Sequence, residues 1–538
     1  MMKRKRLRYK GLLGGIAAVL IMGAALTFAL LFNSHPSEQA VTALTVTTEH
    51  IFYLKDSSIY HTYPDQLRPQ VLVSDFAPGQ GLLAPIFLSG DGKRLFYPLG
   101  DKDKADLYIY SFEEEQEVHH KLASKASLFT TNNDSSKMYY QSGNDLYAGN
   151  MDQFELIATK VTHYFATDEG DRILYLTTDQ ALYYKAWGQE ARMLDEELAL
   201  RYVSFDLNTI YYRKEGTLYL IKDCNRIHEI YTAEFPRDIP RLSCVYENGD
   251  CYFTDYPALY FYSHSEGVTK LICKNVSTIS YALDNSRLYP HLISYAGSND
   301  PIIQYNDKNG DGFLCRGADI LKKITGAYIN ATIQQDGKAL YYVATPEALA
   351  DAGDLYHVAI DGSFVSESKL CASGVSVYGK YYMGDTFVYF KNVDYNVADM
   401  YIDEKIIDSK VYTWAFSWID QLTAPNTFLY LKNTRDYYNS KVESYYTMDT
   451  LMLYQEGVTT EISDNVTDYI LIEDEIIYLS VDDPDSDQGT LHLYRMNGED
   501  LVIDTGVNAL IRPCSFRDYN RAIDPAYTEY YLYYGDYE

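Results

Sequence analysis

Two stretches about 190 residues apart read almost as copies of each other, and this duplication restricts the fold more than any other feature of the chain. One is ALYFYSHSEGVTKLICKNVSTISYALDNSRLY (258–289) and the other is TLMLYQEGVTTEISDNVTDYILIEDEIIY (450–478). Each shows an apolar-Tyr strand, a Glu-Gly-Val-Thr turn into a second strand, an Asn-Val-Ser/Thr step into a third, and an acidic turn before a fourth. Four short strands per repeat is the arithmetic of a β-propeller blade.

Two sub-motifs recur along the chain. The first is an acidic or Gly/Asn turn followed by an apolar-aromatic strand, as in SGDGKRLFY ending at Tyr97, NNDSSKMYY at Tyr140, FDLNTIYY at Tyr212 and QQDGKALYY at Tyr342. The second is an apolar-Tyr pair, with copies ending at Tyr60, Tyr108, Tyr147, Tyr260 and Tyr494 and a degenerate member at Ile303-Gln304-Tyr305. Successive copies of the first lie 35 to 53 residues apart, which fits a four-stranded blade with loop insertions. Asp, Asn and Gly tolerate the left-handed backbone of tight hairpins, and alternating apolar and aromatic residues suit a pleated surface packed between blades.

The expected fold is therefore all-β: β-propeller repeats, about eleven of them, with an irregular sandwich or a solenoid as the competing architectures. Eleven exceeds the usual four to eight blades. Two tandem propellers are favoured, leaving open a single ring of ten or more blades or an eight-bladed ring with strands counted twice. The boundary falls at the longest gap, giving propeller regions at 50–300 and 331–538 around an irregular insertion at 301–330. The last strands, around Tyr530 to Tyr534, are expected to close a ring by pairing with an earlier blade.

The N-terminus carries six Lys/Arg in residues 1–10, then 22 residues without a charge at 11–32. That length spans a bilayer. The basic flank places residues 1–10 in the cytoplasm and everything beyond the 33–49 linker outside, as a single-pass signal-anchor in the cell membrane. A cleavable signal peptide is the rival reading, and SHPSEQA is a poor cleavage site. The outer part carries about −35, which argues against nucleic acid or anionic lipid as a partner. Seven Cys show no framework spacing, and pairing across the Glu-Asn-Gly-Asp turn sets Cys251 opposite Tyr246 rather than Cys244. Free thiols are expected, with Cys224 and Cys273 the remaining pair to consider.

The sharpest chemical signal is NDKNGDGFLCRGAD (306–319). Asp307, Asn309, Asp311 and Gly312 fit the opening of a calcium loop, in which alternating oxygens wrap the ion. The bidentate Glu of an EF-hand is absent, since Ala318 stands there, so the comparison is with shorter extracellular calcium loops. An Asp-Asn-Gly turn without metal is the alternative. No G-x-S-x-G or H-E-x-x-H occurs. His119-His120 follow Glu113-Glu114-Glu115 and are expected on a solvated loop. Asn275-Val-Ser277 and Asn465-Val-Thr467 match a glycosylation sequon, but both fill the same slot of the repeat.

The turns SGDGKRLFY and QQDGKALYY resemble the S-P-D-G-K-x-[IL]-x-[FY] turn of TolB-type and dipeptidyl-peptidase-type propeller repeats, with Gly90 and Gln335 in place of its Pro. The Asp-Leu-Tyr units at Asp106, Asp145 and Asp354 resemble a Tyr-rich family of propeller-like domains of unknown function in Firmicute membrane proteins. The resemblance implies a scaffold and carries over no catalytic residue. The expected role is non-catalytic binding or scaffolding of a protein, peptide or glycan at the cell envelope. The alternative is a propeller-type hydrolase or lyase acting on envelope polysaccharide, and a sensor is third.

Overall fold

A computed structural model describes residues 50–511, apart from 75–85, 100–105, 113–118, 127, 205, 234–239, 247, 278–290, 294–301, 335–337, 348–349, 362–363, 384–385, 395–396, 413–419, 423, 425, 440–443, 473 and 484–485. Every element among the described residues is a strand, and no helix there is long and apolar enough to cross a membrane. The span at 11–32 and the strands expected near Tyr530 lie outside the described residues.

The strands group in fours, antiparallel throughout. Seven four-stranded sheets stand apart, and the remaining strands run on as one long ladder. Six of the seven are contiguous in the chain, opening at Phe87–Leu88, Leu128–Thr131, Val161–Ala166, Ala199–Val203, Arg241–Val245 and His291–Ile293. The seventh joins Ile51–Lys55, Ser58–Tyr63 and Gln66–Val73 to Ala509–Ile511, with Phe52 opposite Ile511. The ladder holds four further blades. They are fused because Lys369–Met383 serves the eighth and ninth, Val458–Ile472 serves the tenth and eleventh, and Val411 pairs with Lys432 between the ninth and tenth. The first half of Val458–Ile472 pairs with Ser444–Gln455 and the second with Glu475–Ser480. Asn465, at φ 57°, sits at that changeover. Counted from Ile51, the described residues form eleven blades.

Local chemistry explains the turns between the inner and second strands. Ser89 Oγ donates to Asp91 Oδ1 and accepts from the Arg94 amide, and Ser204 repeats the pattern with Asp206 and Thr209. Thr167 does the same with Asp171 and Arg172. These side chains satisfy the turn amides that no strand reaches.

Eleven apolar clusters form the core, and each is shared by two consecutive blades. Phe52 and Ile59 of the first blade meet Leu95 and Tyr97 of the second. Tyr252 and Leu259 of the sixth meet Ile303 and Phe313 of the seventh. Ile477 and Leu491 of the eleventh meet Ile51 and Tyr53 of the first. The packing thus runs in one cycle that returns to its start. Two tandem propellers divided near residue 300 would need a core that closes the early blades on themselves. Among the described residues each cluster instead joins chain neighbours, or the eleventh blade to the first. Residues 301–330, expected as an irregular insertion, contain Ile302–Asn306, Gly312–Arg316 and Asp319–Ile324, the last three strands of the seventh blade.

Candidate functional site

The tyrosines have first to be sorted into those the fold consumes and those it leaves over. In every blade an aromatic of the second strand stacks on a ring directly opposite in the third. Examples are Tyr53 on Tyr60, Tyr140 on Tyr147, Tyr305 on Phe313 and Tyr478 on His492. Centroids lie 4.7–5.8 Å apart with interplanar angles of 5–24° across the eleven pairs. Such cross-strand aromatic pairs each stabilise a sheet face by about 0.2–1 kcal/mol. The two sequence sub-motifs are the two halves of this ladder. An exposed aliphatic on the outer strand often completes it, as Leu156 opposite Tyr147 and Ile406 opposite Tyr401.

Other hydroxyls bolt blade to blade. Tyr139 and Tyr211, both buried, donate to the carbonyls of Gly170 (2.8 Å) and Gly249 (2.5 Å) in the turns of the following blade. Both glycines have positive φ, 62° and 90°, which a side chain would strain. In the opposite direction a Tyr-x-Lys pair reaches an Asp on the outer strand of the preceding blade three times. Tyr53 and Lys55 bind Asp504 (2.8 and 2.8 Å), Tyr212 and Lys214 bind Asp195 (2.6 and 2.9 Å), and Tyr430 and Lys432 bind Asp408 (2.8 and 2.8 Å). Burial raises the Asp504 and Asp195 carboxyls, but the hydrogen bonds from their Tyr and Lys partners outweigh it and hold both below the usual range. These groups do structural work and are not candidates for acid–base chemistry.

The two faces of the ring differ. Because strands alternate in direction, connections from second to third strand share a face with the crossings between blades, and inner-to-second turns lie on the other. Residue 50 opens the second strand of the first blade and residue 511 closes its inner strand, paired near Phe52. Both described chain ends therefore leave from the inner-to-second turn face. The opposite face carries the connections that vary most. The turn is two residues at Asp56-Ser57 and Tyr256-Pro257, eight at 481–488, and in the tenth blade Thr427–Asn439 and Ser444–Gln455 stay paired out to Asn439 and Ser444. Variable loops on a rigid frame are where binding chemistry resides.

On that face the sixth and seventh blades form a laced patch. The Val276 amide donates to the Pro257 carbonyl (2.9 Å), the Ser277 amide to Asn306 (2.9 Å) and the Lys308 amide to Asn275 (3.0 Å). Tyr256 lies 58% exposed in its turn, with Lys308 Nζ 5.9 Å from the ring centroid. Sequence reasoning missed Tyr256. The available signal was a Tyr-Pro pair in a slot that holds Asp-Ser or Glu-Gly in other blades.

The predicted calcium ligands lie beside it, in the hairpin between the second and third strands of the seventh blade. Asp307 Oδ1 accepts from the Asn309 and Asp311 amides (2.9 and 3.0 Å) and its Oδ2 from the Asn309 side-chain amide (3.1 Å). Asp311 Oδ1 accepts from the Gly326 amide (2.8 Å), while its Oδ2 pairs with Lys323 Nζ at 2.6 Å. The oxygens are thus committed to the turn, and an ammonium already neutralises the carboxylate best placed for an ion. As arranged, these residues do not fit calcium without displacing Lys323. No cluster of three or more His, Cys, Asp or Glu able to hold a metal occurs among the described residues.

His119 and His120 sit on the outer strand of the second blade rather than on a loop. A buried imidazole pair went unforeseen: His50 Nδ1 and His61 Nε2 lie 2.8 Å apart, packed with Phe52, Tyr63 and Phe112. Burial pushes His50 down to about 4 and His61 to about 3, so both are neutral near pH 7. Cys251 faces Val245, one residue from the expected Tyr246, and among the described residues Cys224, Cys251, Cys273, Cys315 and Cys371 form no disulfide. Burial pushes the Cys224 thiol up to about 11 and the Cys315 thiol to about 12, which makes both unreactive.

No family model and no curated protein matches the chain. Solved structures do. A eukaryotic initiation factor aligns at 8% identity and TM-score 0.35, over 78% of this chain and 97% of that one. Dipeptidyl peptidase 4 of Porphyromonas gingivalis aligns at 10% and 0.34, over 83% and 62%. The C-terminal WD40 domain of Sif2 aligns at 13% and 0.26, over 60% and 94%. At these scores the fold rests on the strand pairing itself.

Proposed function

We propose that the chain is a membrane-anchored, extracytoplasmic propeller of eleven blades in one ring, which binds a protein, peptide or glycan of the cell envelope without catalysis. The observation that supports this most is the division between faces. The described N-terminal end, which follows the apolar segment 11–32, leaves from one face, and the variable loops occupy the other. An anchor on the first face turns the loops outward, where a partner can reach them. The carboxylates held by Tyr-x-Lys pairs serve blade packing, which fits a scaffold. Calcium at Asp307, Asn309 and Asp311 belongs to the same proposal only if the ion displaces Lys323.

Orientation is tested by protease treatment of intact cells producing the full chain. Loss of the blades with survival of 11–32 is expected, and protected blades would overturn the reading. Binding is tested by passing separate envelope protein and polysaccharide fractions over the immobilised full-length chain. Retention of one fraction, unaltered, is expected; retention of neither, or release of shortened polysaccharide, refutes a non-catalytic binder.

A further inference from the structure

We infer that the laced patch of the sixth and seventh blades is a site for an acidic saccharide, with Tyr256 as its stacking platform and Lys308 and Lys274 as its cations. It rests on the binding role proposed above and names the ligand class and the residues.

Among the described Phe, Tyr and Trp residues, two are exposed and lie outside the stacked pairs, Tyr256 and Trp187, and Tyr256, at 58%, is the more exposed. Several exposed aliphatics, such as Leu156, Leu271 and Ile406, cap aromatic ladders on outer strands, whereas Tyr256 occupies a two-residue turn with no ladder position. The turn is fixed by neighbours. The bond from the Val276 amide to Pro257 and the bridge between Val276 and Asp307 tie it to the next blade. A ring held this way loses little freedom when a ligand stacks on it.

The charge around it runs against the protein's average. The chain carries −29 overall, yet two carboxylates beside the ring are engaged by their own turn or by a cation, and Asp255 accepts from the Tyr231 hydroxyl. Asp307 serves its own turn and Asp311 is neutralised by Lys323. Lys308 and Lys274 are exposed, and no carboxylate pairs with either among the described residues. The exposed Asn275 lies between them in the lacing. A flat phenol ring offers its face to the C–H side of a pyranose, the amide suits hydroxyls, and the ammonium groups suit a carboxylate. An acidic peptide satisfies the cations but leaves the platform unused, so it serves as the contrasting outcome.

The test is calorimetric titration of the full-length chain with trigalacturonate, neutral maltotriose and triglutamate. Trigalacturonate is expected to bind, with maltotriose and triglutamate at least ~10-fold weaker. Tyr256→Ala should weaken it by ~10-fold or more and Lys308→Ala by ~3- to 10-fold, with Lys308→Arg close to wild type. Both positions are exposed, so unchanged melting midpoints certify folding. Failure of trigalacturonate to bind, equal binding of triglutamate, or wild-type affinity in Tyr256→Ala and Lys308→Ala overturns the site. If those variants still retain the envelope fraction that the wild type retains, this site is wrong and the binding role stands elsewhere on the ring. If the wild type retains nothing, both are wrong.

Discussion

Removing the Asp504 carboxylate should open the ring at one seam and leave the other blades standing. The eleventh and first blades are joined by the core of Ile51, Tyr53, Ile477 and Leu491, by the short strand Ala509–Ile511, and by the bonds of Asp504 to Tyr53 and Lys55. Asp504→Ala leaves the Tyr53 hydroxyl unpaired in a fully buried side chain, whereas the partly exposed Lys55 can turn to water. A buried hydroxyl stripped of a charged acceptor costs about 2–4 kcal/mol, and the half-exposed ion pair adds little. At 1.4 kcal/mol per decade this accelerates hydrogen exchange of the seam by ~30- to ~700-fold. The amides to follow are those of Ile51–Lys55 and Ala509–Ile511, read by mass spectrometry after proteolysis. Asp195→Ala and Asp408→Ala are the controls, since they break the same clamp between blades that the chain itself joins. Asp504→Asn, which keeps an acceptor for Tyr53, should recover roughly half of the loss. The Asp504 carboxyl is held below its ordinary 3.8, so its contribution is complete above that pH and disappears as pH falls through the lower folded value. If Asp504→Ala exchanges at the seam no faster than Asp195→Ala does at its own interface, the closure is not carried by this clamp and the reasoning fails.

Tyr211→Phe removes the 2.5 Å bond to the Gly249 carbonyl and should lower stability by about 1–2 kcal/mol in urea unfolding, with an unchanged midpoint as the refuting result. The His50–His61 pair stays neutral in the fold while the unfolded chain protonates near 6.5, so stability should fall as pH drops from 6.5 toward 4, by up to about 2.7 kcal/mol per pH unit. A flat profile over that window, or one unaltered in His50→Phe/His61→Phe, would contradict it. Lys323→Met frees Asp311, so calcium should raise its melting midpoint more than it raises the wild type's. Equal midpoints in calcium and chelator for both proteins would leave a metal-free turn. Far-UV circular dichroism of the full chain should show less than about a fifth helix, and more would sink the propeller assignment.

The blade was legible in the sequence because its signals are local. The turns at Ser89, Thr167 and Ser204 bond within five residues, and the two Tyr sub-motifs are neighbours across one hairpin. What stayed hidden was decided by contacts between distant segments. Ala509–Ile511 carries no motif, and only its pairing with Ile51–Lys55 makes it the closing strand. The spacing that stretched near residue 300 suggested a boundary. In the fold Ile303-Gln304-Tyr305 fills the second-strand slot of the seventh blade, stacking Tyr305 on Phe313 where the third-strand slot had been expected. Asp307, Asn309 and Asp311 read in the sequence as a calcium loop or as a turn without metal, and what the local pattern does not show is that Lys323 and Gly326, on or just after the following strand, take up the Asp311 oxygens. A repeat of this kind hides its functional positions in its departures from the rule. Tyr53, Tyr140 and Tyr305 are predictable and structural, whereas Tyr256 obeys no ladder register and is held in the open by the neighbouring blade. Among described tyrosines mostly committed to packing, one that is exposed on the face away from the described chain ends is where ligand recognition is to be sought.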